Sequence, residues 1–241
     1  MLHFLHREVL CGPYDPDATE LSGVFESGTF NCVSSAVLFQ ALCQQISLET
    51  WPILAAGHVS HVVPSGGRPW LVETTAVQWA DILASGDGRA DLSGRESVDG
   101  VAPRRPLRPA QLLSVIYYNQ AVRQLAAGLY AQSLDANLAA WRVDPENPDV
   151  RRNLLVTINN WAVALAGAGH YADAAALLAS GRRIDPGYDK FRHNEAFLQD
   201  RWWRQRQDRH PQSATCPPPA TVSEIRAWNW FRISEFPAPR G

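Results

Sequence analysis

The chain has 241 residues, of which 46% are hydrophobic and 19% are charged, and its formal net charge is −2. This length can bury a sizeable core, and the composition argues against a disordered chain. The near-neutral charge argues against a protein built to coat nucleic acid, and no apolar run approaches the roughly 18 residues of a transmembrane helix.

The N-terminus and the cysteines bear on compartment and cofactors. The first ten residues, MLHFLHREVL, lack the apolar core of a signal peptide. The four cysteines show no Cys-x-x-Cys spacing: they are Cys11, Cys32, Cys43 and Cys216. We therefore expect reduced thiols and a cytoplasmic location, with no disulfide framework, no metal site and no cofactor.

The composition and the hydrophobic pattern change along the chain, and the order of these changes predicts an α+β fold. Residues 1–83 mix helix-like and strand-like runs, and residues 84–109 have the Gly, Pro, Asp and Arg content of a loop or linker. Residues 110–209 are rich in Ala and Leu with a helical period. Residues 210–241 form a Pro-rich break with an aromatic end. We expect a small helix-plus-antiparallel-sheet domain followed by an all-α array and a tail.

A helix is predicted from Cys32 onward, because Asn31 can cap its start. A thiol in the first turn is close to unpaired backbone N–H groups and to the positive end of the helix dipole, both of which favour the thiolate. The same N–H groups could stabilise an oxyanion. Cys43 lies about 16 Å further along the helix, which excludes a disulfide with Cys32 and indicates a core residue.

Two strand-like runs follow and predict a hairpin. Residues 51–63 are strand-like in their second half, and residues 70–75 form the second strand after a turn. Side-chain alternation places His58 and His61 on opposite faces, so at most one histidine can face the cysteine. Glu73, on the neighbouring strand, could orient that imidazole.

The order of a cysteine at a helix start, a histidine on a strand and an acid on the next strand resembles the transglutaminase-like branch of papain-type thiol enzymes. In that family an Asp-x-Thr preceded by Trp follows the histidine strand. Here Glu73-Thr74-Thr75 takes that position 15 residues after His58, and Trp70 precedes it. The resemblance covers about residues 1–80. Because such domains usually carry another helix upstream, it also implies that Met1 is a late or mis-assigned start.

The resemblance implies a catalytic triad and an acyl-transfer reaction. Cys32 would attack a carboxamide or thioester carbonyl, His58 would take and return the proton, and Glu73 would hold the imidazole. Water as the acceptor gives a peptidase or amidase, and an amine gives a transglutaminase. An inactive binding domain is the alternative. A metal site from Cys32, His58 and His61 is disfavoured, because the two histidines oppose each other.

The helical segment contains a repeat with an offset of 41 residues. The first copy is Asn119-Gln120-Ala121-Val122, Gly128, Tyr130-Ala131 and Asp144-Pro145, and the second is Asn160-Trp161-Ala162-Val163, Gly169, Tyr171-Ala172 and Asp185-Pro186. The Gly-x-Tyr-Ala step ends one helix and starts the next, and Asp-Pro closes the second. The pattern resembles tetratricopeptide (TPR) repeats, whose usual period is about 34 residues.

We place the residues beyond that period in a lengthened helix over about 148–168, and we expect a further helix over about 190–206 to cap the array. The whole chain looks like bacterial proteins that join a transglutaminase-like domain to a TPR tail. This implies a protein or peptide ligand on the helices, and the lack of a long apolar run predicts no membrane association. The basic aromatic segment 201–209 is interpreted as a solvated helix end rather than a nucleic-acid site.

Overall fold

The structure is a computed structural model that describes residues 1–55, 57–65, 68–78 and 105–209. It combines helices with a small antiparallel sheet, which confirms the α+β class in its coarse form. Most of the predicted linker lies outside the described residues, as do the predicted tail and Cys216.

The first part of the chain forms three helices and a four-stranded sheet. The helices are α1 (Leu2–Glu8), α2 (Leu21–Ser27) and α3 (Cys32–Gln45), and the strands are β1 (Trp51–Ala55), β2 (His58–Ser65), β3 (Arg68–Val72) and β4 (Arg105–Pro106). The sheet order is β3-β2-β1-β4, and every neighbouring pair is antiparallel. The sequence predicted the β2–β3 hairpin but missed α2 and β1.

The edge strand β4 comes from residues that the composition assigned to the linker. It pairs with Ile53 and Leu54 of β1, and the Leu107 amide donates a 2.8 Å hydrogen bond to the Pro52 carbonyl. Because Leu107 is buried beside Cys32 and Val59, this segment joins the core beneath the cysteine.

Only helices are found from residue 112 to residue 209. They are α4 (Leu112–Ala126), α5 (Tyr130–Val143), α6 (Pro148–Gly167), α7 (Tyr171–Ile184) and α8 (Asp189–Arg209). Gly128 and Gly169 share a left-handed backbone, with φ of 72° and 83°, and each stands two residues before the first residue of a 14-residue helix. The 41-residue repeat is therefore also a structural repeat, and the predicted long helix is α6.

The helices and the α/β part share contacts. Leu112 and Val115 of α4 pack with Cys32 and Val33 in one cluster of buried residues. Asp144, which ends α5 and is 1% exposed, accepts hydrogen bonds from Arg105 of β4 and from Gln111. Within the ranges described, no helix combines the length and apolarity needed to cross a membrane.

Candidate active site

Cys32 is the first residue of α3, and its position is fixed by a reciprocal cap. The Asn31 side chain accepts hydrogen bonds from the amides of Val33 and Ser34, both at 2.9 Å, and the Ser34 hydroxyl accepts one from the Asn31 amide. The predicted helix start is therefore confirmed. The Cys32 side chain lies at the dipole's positive end, and the residue is only 8% exposed.

His58, the first residue of β2, lies between Glu73 and Cys32. Its Nε2 is 2.5 Å from Glu73 Oε2, and the imidazole also forms a hydrogen bond with the Cys32 side chain. Because Glu73 occupies Nε2, Nδ1 is the nitrogen left for the sulfur. The structure thus brings the three predicted site residues together.

The environment of His58 favours its charged form. The hydrogen bond with Cys32 and then that with Glu73 raise the pKa of His58 to about 10, against the opposing effect of burial. The imidazole is therefore protonated at neutral pH. A positive imidazolium therefore lies beside the Cys32 sulfur at the N-terminus of α3.

Glu73 is held as a carboxylate just after β3. Burial raises the pKa of Glu73, but hydrogen bonds from His58 and Thr75 outweigh burial and leave it below the ordinary value. The Thr75 amide and hydroxyl donate to Oε1 at 3.0 and 2.7 Å. The sequence placed Glu73 on the strand, whereas β3 ends at Val72, because the backbone turns so that Thr75 can reach the carboxylate.

Thr74, between Glu73 and Thr75, connects this turn to two helices through hydrogen bonds. The Thr74 hydroxyl lies 2.9 Å from the Ser35 hydroxyl of α3, and the Thr74 carbonyl lies 3.0 Å from His6 Nε2 of α1. Thr74 is completely buried. The turn that holds Glu73 is therefore connected to the same helix that carries Cys32.

His61 lies outside this constellation. Its side chain is fully buried with its ring centroid 5.0 Å from that of Phe39, and neither ring nitrogen has a hydrogen-bond partner. Burial lowers the pKa of His61 to about 4, so the ring is neutral. In the part of the chain that the structure describes, no three His, Cys, Asp or Glu residues are grouped as metal ligands would be.

Tyr14 is a site residue that the sequence did not indicate. Its hydroxyl forms hydrogen bonds with the Cys32 side chain and backbone, and its ring lies edge-on to Phe30 with centroids 6.0 Å apart. Tyr14 joins the site through a single parallel bridge to Phe30. Because such a bridge forms between a loop and a distant segment, no local pattern in the sequence marks it.

A second concave surface lies on the helical array. A groove of about 460 Å³ runs between α6, α7 and α8, and its lining includes Val163, Tyr171, Asn194, Phe197 and Arg201. Val163 and Phe197 are each 52% exposed. The Arg201 guanidinium stacks over the Phe197 ring, and Arg204 pairs with Asp200, so these two arginines already have partners on α8.

Comparison of the chain with family models, curated proteins and solved structures gives no match. Its function can therefore be inferred only from its own residues and their geometry.

Proposed function

We propose that the protein is a cysteine-dependent acyl-transfer enzyme, either a peptidase or amidase or a transglutaminase-like enzyme, with a TPR-like helical module that binds a protein or peptide. Cys32 is the nucleophile, His58 the acid and base, and Glu73 the orienting carboxylate. The observation that carries the proposal is the position of His58, hydrogen-bonded to Glu73 through Nε2 and to the Cys32 side chain.

This arrangement supports a two-step reaction. The Cys32 sulfur attacks the carbonyl carbon of a carboxamide, and the new C–S bond places negative charge on the carbonyl oxygen next to the helix N-terminus. The C–N bond then breaks as the His58 imidazolium gives its proton to the leaving amine. Water or a second amine attacks the thioester, His58 takes the proton of the attacking group, and Cys32 is released.

The first experiment measures thiol reactivity residue by residue. Iodoacetamide labelling at pH 7, resolved by peptide mapping, compares Cys32 with Cys43 in the same protein. Cys43 is a matched internal control, since it is fully buried and burial raises its pKa to about 11. We expect rapid labelling of Cys32 and slow labelling of Cys43, with the Cys32 rate falling sharply in His58→Ala. Equally slow labelling of both cysteines in the unmodified protein would overturn the proposal.

The second experiment measures acyl transfer itself. Acylation of Cys32 by p-nitrophenyl acetate is followed by intact mass, with Cys32→Ala as the blank. We expect His58→Ala to lower the acylation rate by about 10²–10⁴, the usual contribution of general acid–base catalysis. Glu73→Gln should cost less, because the amide still offers an oxygen to His58 although the charge is lost. His61→Ala should change the rate only a few-fold; loss of acylation in that variant with an active His58→Ala would reverse the assignment.

The exposed groove between α6 and α8 favours a second candidate function. In that case the α/β part is catalytically inactive and supports a protein-binding scaffold. A protein whose Cys32 is never acylated by the ester, in any of these variants, would favour the scaffold over the enzyme.

A further inference from the structure

The loop of residues 11–19, here called the N-terminal loop, is bonded to the segment that leads into Cys32. The Gly12 amide donates to the Gly28 carbonyl at 3.1 Å, and the Asp15 amide donates to the Phe30 carbonyl at 2.9 Å. Tyr14 forms a parallel bridge with Phe30 between these two bonds. These bonds therefore hold the backbone of Tyr14 beside the segment that leads into Cys32.

The side chain of Tyr14 reaches the reacting atoms. Its hydroxyl contacts both the sulfur and the backbone amide of Cys32, while the ring packs edge-on against Phe30. The Asn31 side chain accepts hydrogen bonds from the amides of Val33 and Ser34 but not from that of Cys32. The Cys32 amide instead faces the Tyr14 hydroxyl. Burial raises the pKa of Tyr14, so the phenol keeps its proton and remains a donor.

We propose that Tyr14 is a further catalytic residue of the acyl-transfer site, whose hydroxyl donates a hydrogen bond to the oxyanion; this inference rests on the proposed function. As the sulfur attacks, negative charge moves from the sulfur to the carbonyl oxygen, which forms beside the Cys32 amide. The Tyr14 hydroxyl already contacts this sulfur and this amide, so a small rotation redirects its hydrogen bond from the sulfur to the carbonyl oxygen. No proton is transferred, because the phenol changes its acceptor and keeps its hydrogen.

The contrast between two reactions of the same sulfur tests this role. Alkylation by iodoacetamide is a direct displacement that forms no oxyanion, whereas acylation by p-nitrophenyl acetate passes through one. Tyr14→Phe keeps the ring that packs on Phe30 and removes only the hydroxyl. We expect acylation of Cys32 to fall by about 10²–10³, the usual cost of losing one oxyanion donor. The alkylation rate should change little, and the control Tyr130→Phe on the helical array should leave both rates unchanged.

The other outcomes are distinct. Unchanged or faster acylation in Tyr14→Phe, with His58→Ala still inactive, would overturn the role of Tyr14 and leave the proposed function standing. An equal fall in alkylation and acylation would assign Tyr14 to the structure of the site, and would also overturn the inference. Absence of acylation in the unmodified protein would overturn the proposed function and the role of Tyr14 with it.

Discussion

His58 and His61 lie three residues apart on β2, yet their pKa values shift in opposite directions. His58, at the strand start, has a carboxylate and a sulfur as partners, and its pKa rises to about 10. His61 is fully buried against Phe39 with no hydrogen-bond partner, and its pKa falls to about 4. His58 is thus held in its charged form, whereas His61 is a neutral core residue whose burial opposes protonation.

The buried His61 predicts a loss of stability in mild acid. A histidine in the unfolded chain has a pKa of about 6.5. Below this pH the unfolded state binds a proton at His61, whereas the folded state does not until the pH approaches 4. The contribution of His61 to the free energy of unfolding is therefore complete above pH 6.5 and is lost as the pH falls toward 4. Between pH 7 and pH 5 we expect a loss of about 2 kcal/mol.

Urea unfolding of the unmodified protein and of His61→Leu at pH 7 and pH 5 measures this effect. The contribution of Glu73 changes only in stronger acid, and that of His58 changes only above pH 6.5 and in the opposite direction. Burial also lowers the pKa of His6, so the comparison with His61→Leu isolates the part of the pH dependence that belongs to His61. His61→Leu should lose most of the difference, whereas His170→Gln, at an exposed site, should keep it. The same pH dependence in His61→Leu and in the unmodified protein would show that another group is responsible.

At the scale of the elements, the features that sequence predicted best are those with local signals. Asn31 caps α3 with its own side chain, and Gly128 and Gly169 mark equivalent turns in a periodic pattern. The features that it missed depend on distant segments: β4 exists because Arg105 and Pro106 meet β1, and Tyr14 enters the site through Phe30. The spacing between His58 and Glu73 was readable because β2 and β3 are close in the chain and pair antiparallel, with His61 opposite Val72.

The close contact between two glycines sets the course of the N-terminal loop. A Cβ added to Gly12 would lie 2.7 Å from the Gly28 carbonyl carbon, 2.7 Å from the Ser27 carbonyl oxygen and 2.8 Å from the Thr29 amide. These are backbone atoms that cannot rotate away. Gly28 also has a φ of 72°, a conformation that other residues rarely adopt. The loop can approach the C-terminal end of α2 this closely only with glycine on both sides.

We therefore expect Gly12→Ala to displace the loop and Tyr14 with it. The free energy of unfolding should fall by about 1–3 kcal/mol, as for other overpacked sites. Ester acylation of Cys32 should fall with it, more than alkylation does. Gly23→Ala is the matched control, because an added Cβ meets nothing within 4 Å and alanine favours the helix. Denaturant unfolding and the two labelling rates measure the effects; a Gly12→Ala protein as stable and as reactive as the parent would contradict them.

At the scale of the whole molecule, the helical array packs against the residues around Cys32. Leu112 and Val115 of α4 form part of the apolar wall around Cys32. Asp144 ends α5 in the repeat and also binds Arg105 of the sheet edge. These contacts explain how an array with fewer repeats than a free-standing solenoid needs can be stable here: its first helix is covered by the α/β part.

Arg123 of α4 is the contact that links this array to the N-terminal loop. Its Nη1 donates a 2.7 Å hydrogen bond to the Asp17 carbonyl, and its Nη2 donates one of 2.6 Å to the hydroxyl of Thr19, which is 1% exposed. Two donors of one planar group thus hold the end of the loop that carries Tyr14. A change in the position of α4 would move this end of the loop.

We predict that Arg123→Ala loosens the N-terminal loop and lowers the acylation of Cys32 several-fold, because Tyr14 is then less well placed to meet the oxyanion. Hydrogen exchange of residues 12–19 should accelerate, while helix content by circular dichroism stays unchanged. Arg192→Ala, which removes an exposed pair with Asp189, is the control and should alter neither measurement. Because Arg123 acts through Tyr14, its effect on acylation should vanish in the Tyr14→Phe background, where the hydroxyl to be positioned is gone. Additive losses in the double variant would mean that Arg123 affects the acylation of Cys32 independently of the Tyr14 hydroxyl.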